Sequence, residues 1–584
     1  MMKKKFVFLC LILLLSLITL FANSQSYYAV SSLEWRSVNA LCHYAGVVGP
    51  TSNGPVTRGQ LELALDRVED AIGKNDPFLL AVYELLKEQE PTVTDSVGSI
   101  TLSGDVNLEG YLELGDLSLP EKATDGSYLD YDSAWFIANA KERKPLFDVG
   151  ASFTFLDNAY AVFDYNFSRD MISPDDIWGN RFSSNISLVH TESYPYNAGL
   201  SLGNSYLNFM AARGSVSLGE GYTGNTAIGD NYDYQEFARF SLFSPFLSVS
   251  LRLTSFDSSH SSDMNNNPYA LISPRFSDYK QLRHEVGFEA MFFKNFRLTF
   301  SLLNLLDTTS SFDIRFLNPF IVLHNMFNYT DHTIFEANNM LTGDISWAVG
   351  RKWNVYFQLT MDQTQSKGEQ EAYGEVLDPN AFGYLFNVSY SDYISDGILN
   401  IYSEFVYNDP GMYLNSKFYE KEGNNTITTE NNGLYSWSQD WLLGYWRSGK
   451  GNDVHYAGYK YGPDCIVFSI GGEYRKTLFS LKSSILYMAH GEKGRGNKLS
   501  NYTFEGINSK ATFNSKAPYG TVEHTLLLSL ESNVNINEYV SLSIGGAWSN
   551  MFNYLNEKGR NKNSLQLVFG ITVKGSIPTI LSKE

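Results

Sequence analysis

The sequence is poor in cysteine, in positive charge and in long apolar runs. Only 3 of the 584 residues are cysteine, which excludes a small module held together by disulfides. Lysine and arginine number 44 against 63 acidic residues, so the basic surface of a nucleic-acid-binding protein is missing. After the N-terminal two dozen residues, no apolar run reaches the roughly 18 residues of a membrane-spanning helix. A bundle of membrane helices is therefore excluded as well.

The chain is instead rich in aromatic residues, with 39 Phe, 38 Tyr and 9 Trp. This much apolar surface is incompatible with a disordered chain. The nine histidines show no paired spacing of the His-x-x-x-His kind, so the pattern gives no support for a metal site. We therefore expect a folded chain without a metal or organic cofactor.

The N-terminus carries a targeting signal. Three lysines at positions 3–5 precede an apolar stretch over residues 6–21, and Ala22-Asn23-Ser24 supplies small residues for cleavage before Gln25. This pattern predicts a secretory signal peptide over residues 1–24. Cys42 and Cys465 follow it, and the sequence leaves open whether they pair, although an unpaired state is favoured.

Two short helices are predicted next. Thr57-Arg58-Gly59-Gln60 forms a capping-box pattern, and apolar residues recur on one helical face until Gly73. Asp76-Pro77 then supplies a cap and a first-turn proline for a second helix. We assign residues 25–97 to a small helical region on the periplasmic side.

From about residue 98 the apolar pattern changes to a period of two, as in strands with one apolar face. Clear examples are residues 147–155, 161–168, 353–362, 540–549 and 564–573. Many segments exceed the usual ~5–6 residues of soluble strands. Together with the signal peptide, this predicts an all-β transmembrane barrel over residues 98–584, with an even number of roughly 16–20 antiparallel strands.

Aromatic residues and polar connections suggest how this barrel is oriented. Tyrosine and tryptophan near strand ends are expected to form the interfacial girdle, namely Tyr384, Tyr390, Tyr402, Tyr407 and Trp548. Polar stretches at residues 257–267 and 422–432 are predicted to be long external loops. An even strand number places both termini on the periplasmic side of an outer membrane.

Several segments, taken in order, resemble one family of outer-membrane proteins. They are Arg213 followed by Gly219, Gly221 and Gly224; Arg315-Phe316-Leu317-Asn318-Pro319 with His324-Asn325; a strand ending at Asp362; Glu404 with Asp409-Pro410; and Tyr459 with Gly462-Pro463-Asp464. In this order they resemble the Wzi-like capsule-assembly outer-membrane proteins, and residues 57–90 resemble that family's periplasmic part. The resemblance implies an 18-stranded barrel that acts as a lectin-like anchor.

We therefore expect a barrel that binds surface polysaccharide and contacts outer-membrane lipid, without catalysis. Candidate glycan-binding residues are Arg213, Arg315, Asn318, His324, Asn325, Asp362 and Asp464. A porin or substrate-selective channel is the first alternative, and a plug formed by residues 312–327 would argue against it. A barrel-embedded hydrolase is the second, because Gly199-Leu-Ser201-Leu-Gly203 matches a nucleophile-elbow string. That string is predicted to lie within strands, which favours coincidence.

Overall fold

The structure is a computed structural model of the chain. It describes residues 25–88, 96–115, 144–155, 158–167, 182–185, 197–230, 234–257, 280–308, 317–318, 336–364, 381–413, 442–447, 451–492 and 516–582. The predicted signal peptide and the predicted loop at residues 422–432 lie outside these ranges. So does all of the 257–267 stretch except Asp257.

In the described part of the chain before the barrel there are three helices: α1 (Leu33–Ala45), α2 (Arg58–Ile72) and α3 (Pro77–Glu88). The capping box is confirmed, because the Thr57 side chain accepts from the Gln60 amide while the Gln60 side chain accepts from the Thr57 amide. The second of the two predicted helices corresponds to α3, which begins at Pro77, as predicted. The prediction of only two helices is wrong, because α1 begins earlier with Ser32 as its cap. Among the described residues, no helix is long and apolar enough to cross a membrane.

Eighteen antiparallel strands close into one barrel, which confirms the predicted fold class. Each strand pairs with its successor, and the last strand pairs with the first. Their bounds are β1 Ser96–Gly115, β2 Phe147–Phe155, β3 Ala159–Phe167, β4 Asn197–Gly203, β5 Leu207–Gly214, β6 Gln235–Phe243, β7 Leu247–Asp257, β8 Lys280–Phe292, β9 Phe296–Thr308, β10 Glu336–Ala348, β11 Trp353–Gln363, β12 Ala381–Ile394, β13 Gly397–Asn408, β14 Cys465–Lys476, β15 Phe479–His490, β16 Glu523–Asn535, β17 Val540–Phe552 and β18 Lys562–Ser582. A short strand, Phe182–Ser184, also pairs with β1, and a hairpin, Leu442–Arg447 with Gly451–Tyr456, lies outside the ring.

The outward face of the barrel is apolar on every strand. At least one large apolar side chain per strand is exposed there, for example Leu108, Phe153, Phe163, Leu200, Phe209, Phe240, Leu247, Phe288, Phe300, Ile345, Leu359, Phe386, Ile401, Ile470, Ile485, Leu530, Ile544 and Phe569. A continuous exposed apolar band of this kind faces lipid rather than water, and ring closure leaves no unpaired edge within it. The exterior is therefore that of a membrane-spanning barrel.

The two ends of the barrel differ in the lengths of their connections. Turns of two to four residues join strands at one end, as at residues 244–246, 293–295 and 395–396, whereas the other end carries the long connections. We call these the short-turn end and the long-loop end. The helices are docked at the short-turn end, where the amide of Lys352 donates to the carbonyl of His43 at 2.7 Å and the amide of Val48 donates to that of Lys294 at 3.0 Å.

Cys42 and Cys465 are both free and buried. Cys42 lies on α1 and Cys465 begins β14, and neither is part of a disulfide. Burial raises the pKa of the Cys42 thiol to about 12, which keeps it protonated and unreactive at neutral pH. The two thiols therefore contribute to packing.

Candidate functional site

The N-terminal strap, residues 47–57, runs from α1 to α2 inside the barrel wall. Three lumen-facing arginines donate to its backbone carbonyls: Arg239 to Pro55, Arg252 to Gly54, and Arg297 to Gly49 and Pro50. Within the strap, Asn53 donates to Ser250 Oγ at 3.1 Å. The barrel wall thereby supplies hydrogen-bond donors to strap carbonyls that have no partner in a strand.

Two of these arginines are also held by buried carboxylates. Arg252 contacts both oxygens of Glu285, with Nε to Oε2 at 3.0 Å and Nη2 to Oε1 at 2.6 Å. Arg297 donates to Glu220 and lies 3.9 Å from Glu289. All of these side chains are at most 7 % exposed, so the pairs are desolvated and removing one partner leaves a costly buried charge.

The luminal insert, residues 215–230, leaves β5 at the long-loop end and folds back into the barrel. Leu218 forms bridges with Asn53 of the strap and with Ile228 of the insert itself. On β13, Glu404 accepts from the backbone amides of Tyr222 and Thr223 at 2.7 and 2.8 Å. On β11, Gln358 accepts from the Thr226 amide at 2.9 Å. The insert is thus fixed to the barrel wall through its backbone.

Residues 409–413 and 456–464 add a third layer of packing above this insert. The hydroxyl of Tyr413 donates to the carbonyl of Thr226 at 2.6 Å and accepts from the amide of Tyr459 at 2.9 Å. The Tyr459 hydroxyl lies 2.8 Å from that of Thr223. Tyr413 and Tyr459 are fully buried, so aromatic rings fill the lumen between the insert and the long-loop end.

Inward side chains in the half nearer the long loops are buried around much of the ring. The following inward residues there are at most 7 % exposed: Tyr111, Leu303, Met340, Val406, Val467, Leu486, Leu527, Ala547 and Gln566. Nearer the short turns, the inward residues Lys482, Glu531, Asn533 and Lys574 of β15–β18 are exposed. Within the described residues, the lumen is therefore packed in one half and open to solvent along one wall of the other half.

The structure separates the predicted site residues. Arg213 lies at the long-loop end of β5 on the outward face, pairs with Glu236 and stacks over Tyr234 at 4.3 Å from the ring centroid. Asp362 and Asp464 are buried, and each accepts from a backbone amide: Asp362 from Tyr413 at 2.6 Å and Asp464 from Tyr519 at 2.8 Å. These contacts position the chain segments that enter or cover the lumen.

The other predicted residues are not brought together within the described ranges. Arg315, His324 and Asn325 lie outside the described residues, as does the 312–327 insert apart from residues 317 and 318. Asn318 is described and exposed. The segment that fills the lumen in the structure is residues 215–230, together with the strap, and neither was predicted to do so.

The sequence that matches the nucleophile-elbow motif of hydrolases, residues 199–203, lies in a strand. Ser201 is in the middle of β4, fully buried, and accepts from the side-chain amide of Asn208 at 2.8 Å. A nucleophile elbow instead requires a sharp turn from a strand into a helix that exposes the hydroxyl. The geometry therefore agrees with the expectation of a coincidental match.

Sequence reasoning missed the luminal arginines Arg239, Arg252 and Arg297 and the carboxylate Glu285. A signal was present for the arginines, because each is flanked by apolar residues along its strand, as Arg239 is by Ala238 and Phe240. That pattern reveals an inward side chain but not its partner. For the three arginines, the partner carbonyls lie 184 to 248 residues earlier in the chain. The predicted girdle also needs a correction, since Tyr402 faces the lumen and stacks on Tyr222.

No family model matches the chain, and no curated protein matches it. Among solved structures, it is similar to Wzi of Escherichia coli, described as an outer-membrane carbohydrate-binding β-barrel involved in group 1 capsule assembly (13 % identity, TM-score 0.49, 94 % of this chain and 99 % of that one). It is also similar to OprD of Pseudomonas aeruginosa (9 %, 0.36, 84 % and 100 %) and to the channel DcaP of Acinetobacter baumannii (9 %, 0.34, 82 % and 97 %). All three are described as outer-membrane proteins; at these identities and TM-scores the likeness carries no conclusion about what this chain binds.

Proposed function

We propose that the chain is an outer-membrane barrel that binds surface polysaccharide and does not act as an open pore or an enzyme. The observation that carries this proposal is the packed lumen. The strap, the luminal insert and the tyrosines at residues 413 and 459 fill the barrel, and the wall arginines and carboxylates bond to the backbones of the strap and the insert. Fixed, buried inserts suit a scaffold that presents a binding surface.

The proposed orientation follows from the different lengths of the connections at the two ends of the barrel. Barrels of this class place short turns in the periplasm and long loops outside the cell. We assign the helices and both termini to the periplasm and the long-loop end to the cell surface. Protease added to intact cells is expected to cut at residues 422–432 and to spare residues 57–90. Cleavage of the helices with intact loops would reverse the orientation.

Glycan contacts are proposed at the long-loop end. Asn318 is exposed there, and Arg315, His324 and Asn325 belong to the same stretch of sequence. Asp362 and Asp464 position the chain next to this site, because they accept hydrogen bonds from the backbone amides of Tyr413 and Tyr519, respectively. The order of motifs that resembles the Wzi-like family agrees with this proposal, as does the carbohydrate binding ascribed to the Escherichia coli protein.

A binding screen of the folded mature protein against surface polysaccharides tests the proposal directly. We expect retention of at least one polysaccharide and its reduction by Arg315→Lys, which keeps the charge but loses the planar fork of donors. The folded, heat-modifiable band on a gel should be unchanged. Retention of no polysaccharide by the wild-type protein would overturn the proposal.

A further inference from the structure

Several short turns of the barrel carry a large apolar side chain that is exposed. Six such side chains are 56 to 93 % exposed: Tyr206, Phe246, Phe293, Leu478, Ile536 and Tyr539. They lie in the turns that follow β4, β6, β8, β14 and β16. We call these six residues the apolar turn tips.

The backbone of these turns is bonded within the barrel. Asn204 Oδ1 accepts from the Tyr206 amide at 2.8 Å, and Asn537 Oδ1 accepts from the Tyr539 amide at 2.9 Å. The Tyr206 carbonyl accepts from the amide of Phe243, on the neighbouring strand β6, at 2.8 Å. Polar contacts therefore hold the turns in place, while the rings stay exposed.

The apolar turn tips continue the lipid-facing band of the barrel wall. Phe246 is followed directly by the outward residue Leu247, and Phe293 is preceded by the outward residue Phe292, whose ring lies 6.2 Å from that of Phe296. One residue advances about 3.3 Å along a strand, so the tips lie only a few ångströms beyond the last lipid-facing side chains. The headgroup layer extends roughly 5–7 Å beyond the hydrocarbon core on each side, which is far enough to include them.

The turns next to the helices have a different pattern. In the turn after β10, Arg351 lies over the ring of Tyr44 on α1, 5.3 Å from its centroid, and the turn after β12 is the polar pair 395–396. The aromatic residues of this arc are on the strands instead, where Trp353 pairs across with Tyr390 and the ring centroids are 5.0 Å apart. Large apolar tips thus occur where the helices leave the turns uncovered.

We infer that the apolar turn tips insert into the boundary between the headgroups and the acyl chains of the membrane leaflet at the short-turn end. Aromatic side chains favour this boundary, and they form girdles there in membrane barrels. The tips are spread over two arcs of the ring and adjoin the lipid-facing wall, which fits a lipid surface better than one docked protein. The inference does not depend on what the barrel binds.

Spin labelling of the folded protein in vesicles of phosphatidylethanolamine and phosphatidylglycerol tests this inference. Phe246→Cys, Phe293→Cys and Tyr539→Cys each receive a nitroxide label. The collision rate of the label with oxygen, which concentrates in lipid, is then divided by that with a nickel chelate, which stays in water. Because Cys42 and Cys465 are buried, the wild-type protein is the blank for labelling.

Two reference variants bracket the measurement. Ser395→Cys places the same label in the polar turn after β12, and Leu528→Cys places it on the lipid-facing wall of β16. We expect the oxygen-to-nickel ratio at the three tips to exceed that at position 395 by about threefold or more and to approach that at position 528. Every variant should show the folded, heat-modifiable band on a gel.

Two results would overturn the inference. A ratio at all three tips equal to that at position 395 would place them in water. Low accessibility to both reagents would show that protein, such as a second copy of the chain, covers the tips instead of lipid. Neither result depends on the retention of polysaccharide, so the proposed function is tested separately.

Discussion

Arg252 and Glu285 form a two-point ion pair inside the barrel while the same guanidinium donates to the carbonyl of Gly54 in the strap. One side chain therefore joins two neighbouring barrel strands to a segment nearly 200 residues away in sequence. Both partners are 1 % exposed. The interaction couples the position of the N-terminal segment to the integrity of the wall.

Arg252→Ala should destabilise the folded barrel by about 3–5 kcal/mol, because Glu285 is left buried and unpaired. The measurement is urea-induced unfolding in detergent, followed by the heat-modifiable band. Arg560→Ala is the control, since Arg560 pairs with Glu557 at a partly exposed site and its loss should cost at most about 1 kcal/mol. Equal effects of the two variants would contradict the proposed role of Arg252.

Docking of α1 should weaken as the pH falls, through His43. Burial, aided by Arg297, lowers the pKa of His43 to about 3, whereas the unfolded side chain titrates near 6.5. Between these values only the unfolded state binds the proton, so stability is lost as the pH falls from about 6.5 to about 3, on the order of 3–5 kcal/mol in all.

Hydrogen exchange of residues 33–45 at pH 7 and pH 4.5 measures this effect. His43→Gln keeps a neutral polar side chain and should remove the part of the pH dependence that belongs to His43, leaving that of the carboxylates. The difference between wild type and variant isolates the histidine. An identical pH dependence in both proteins would show that His43 does not control α1.

The wild-type barrel should show no large, stable conductance in planar bilayers, because the strap, which contacts the wall near the short turns, and the luminal insert both occupy the lumen. Replacing residues 216–228 by a Gly/Ser linker of equal length should produce a measurable increase in conductance. The folded band serves as the control for assembly. A large, stable conductance of the wild type would favour the channel alternative.

Pro578→Val should promote association through the end of β18. Pairing of β18 with β17 ends at Val573, whereas pairing with β1 continues to Ser582, so among the described residues the last stretch of β18 has one unpaired edge. The Lys574 amide donates towards the β17 side, and alternation places position 578 on that same edge. Proline supplies no donor there, which protects an exposed edge.

Size-exclusion chromatography in detergent and native mass spectrometry measure this association. Thr579→Val is the matched control, because its amide points towards β1 and already has a partner there. We expect dimers or larger species for Pro578→Val and monomer for Thr579→Val. If both variants behave like the wild type, the edge is protected in another way.

Parts of the fold could be predicted from local sequence patterns, namely helix caps and strand alternation. The capping box at Thr57 and the proline at position 77 depend on residues within one helical turn, and the structure places the helix starts there. The alternation at residues 353–362 and 540–549 depends only on the period of a strand, so the inward and outward faces were predictable. Closure then follows, because an apolar exterior in lipid tolerates no free edge.

The contents of the lumen were decided only by tertiary structure. Alternation predicts that Arg239, Arg252 and Arg297 face inward, but not that carbonyls of residues 49–55 will meet them, because that contact joins distant parts of the chain. For Tyr402, a position near a strand end suggested the membrane girdle, whereas strand register points it inward onto Tyr222. The period and composition of the sequence thus determined the barrel. What fills the barrel was determined by long-range pairing of buried polar groups, because the desolvation of each such group must be offset by a partner.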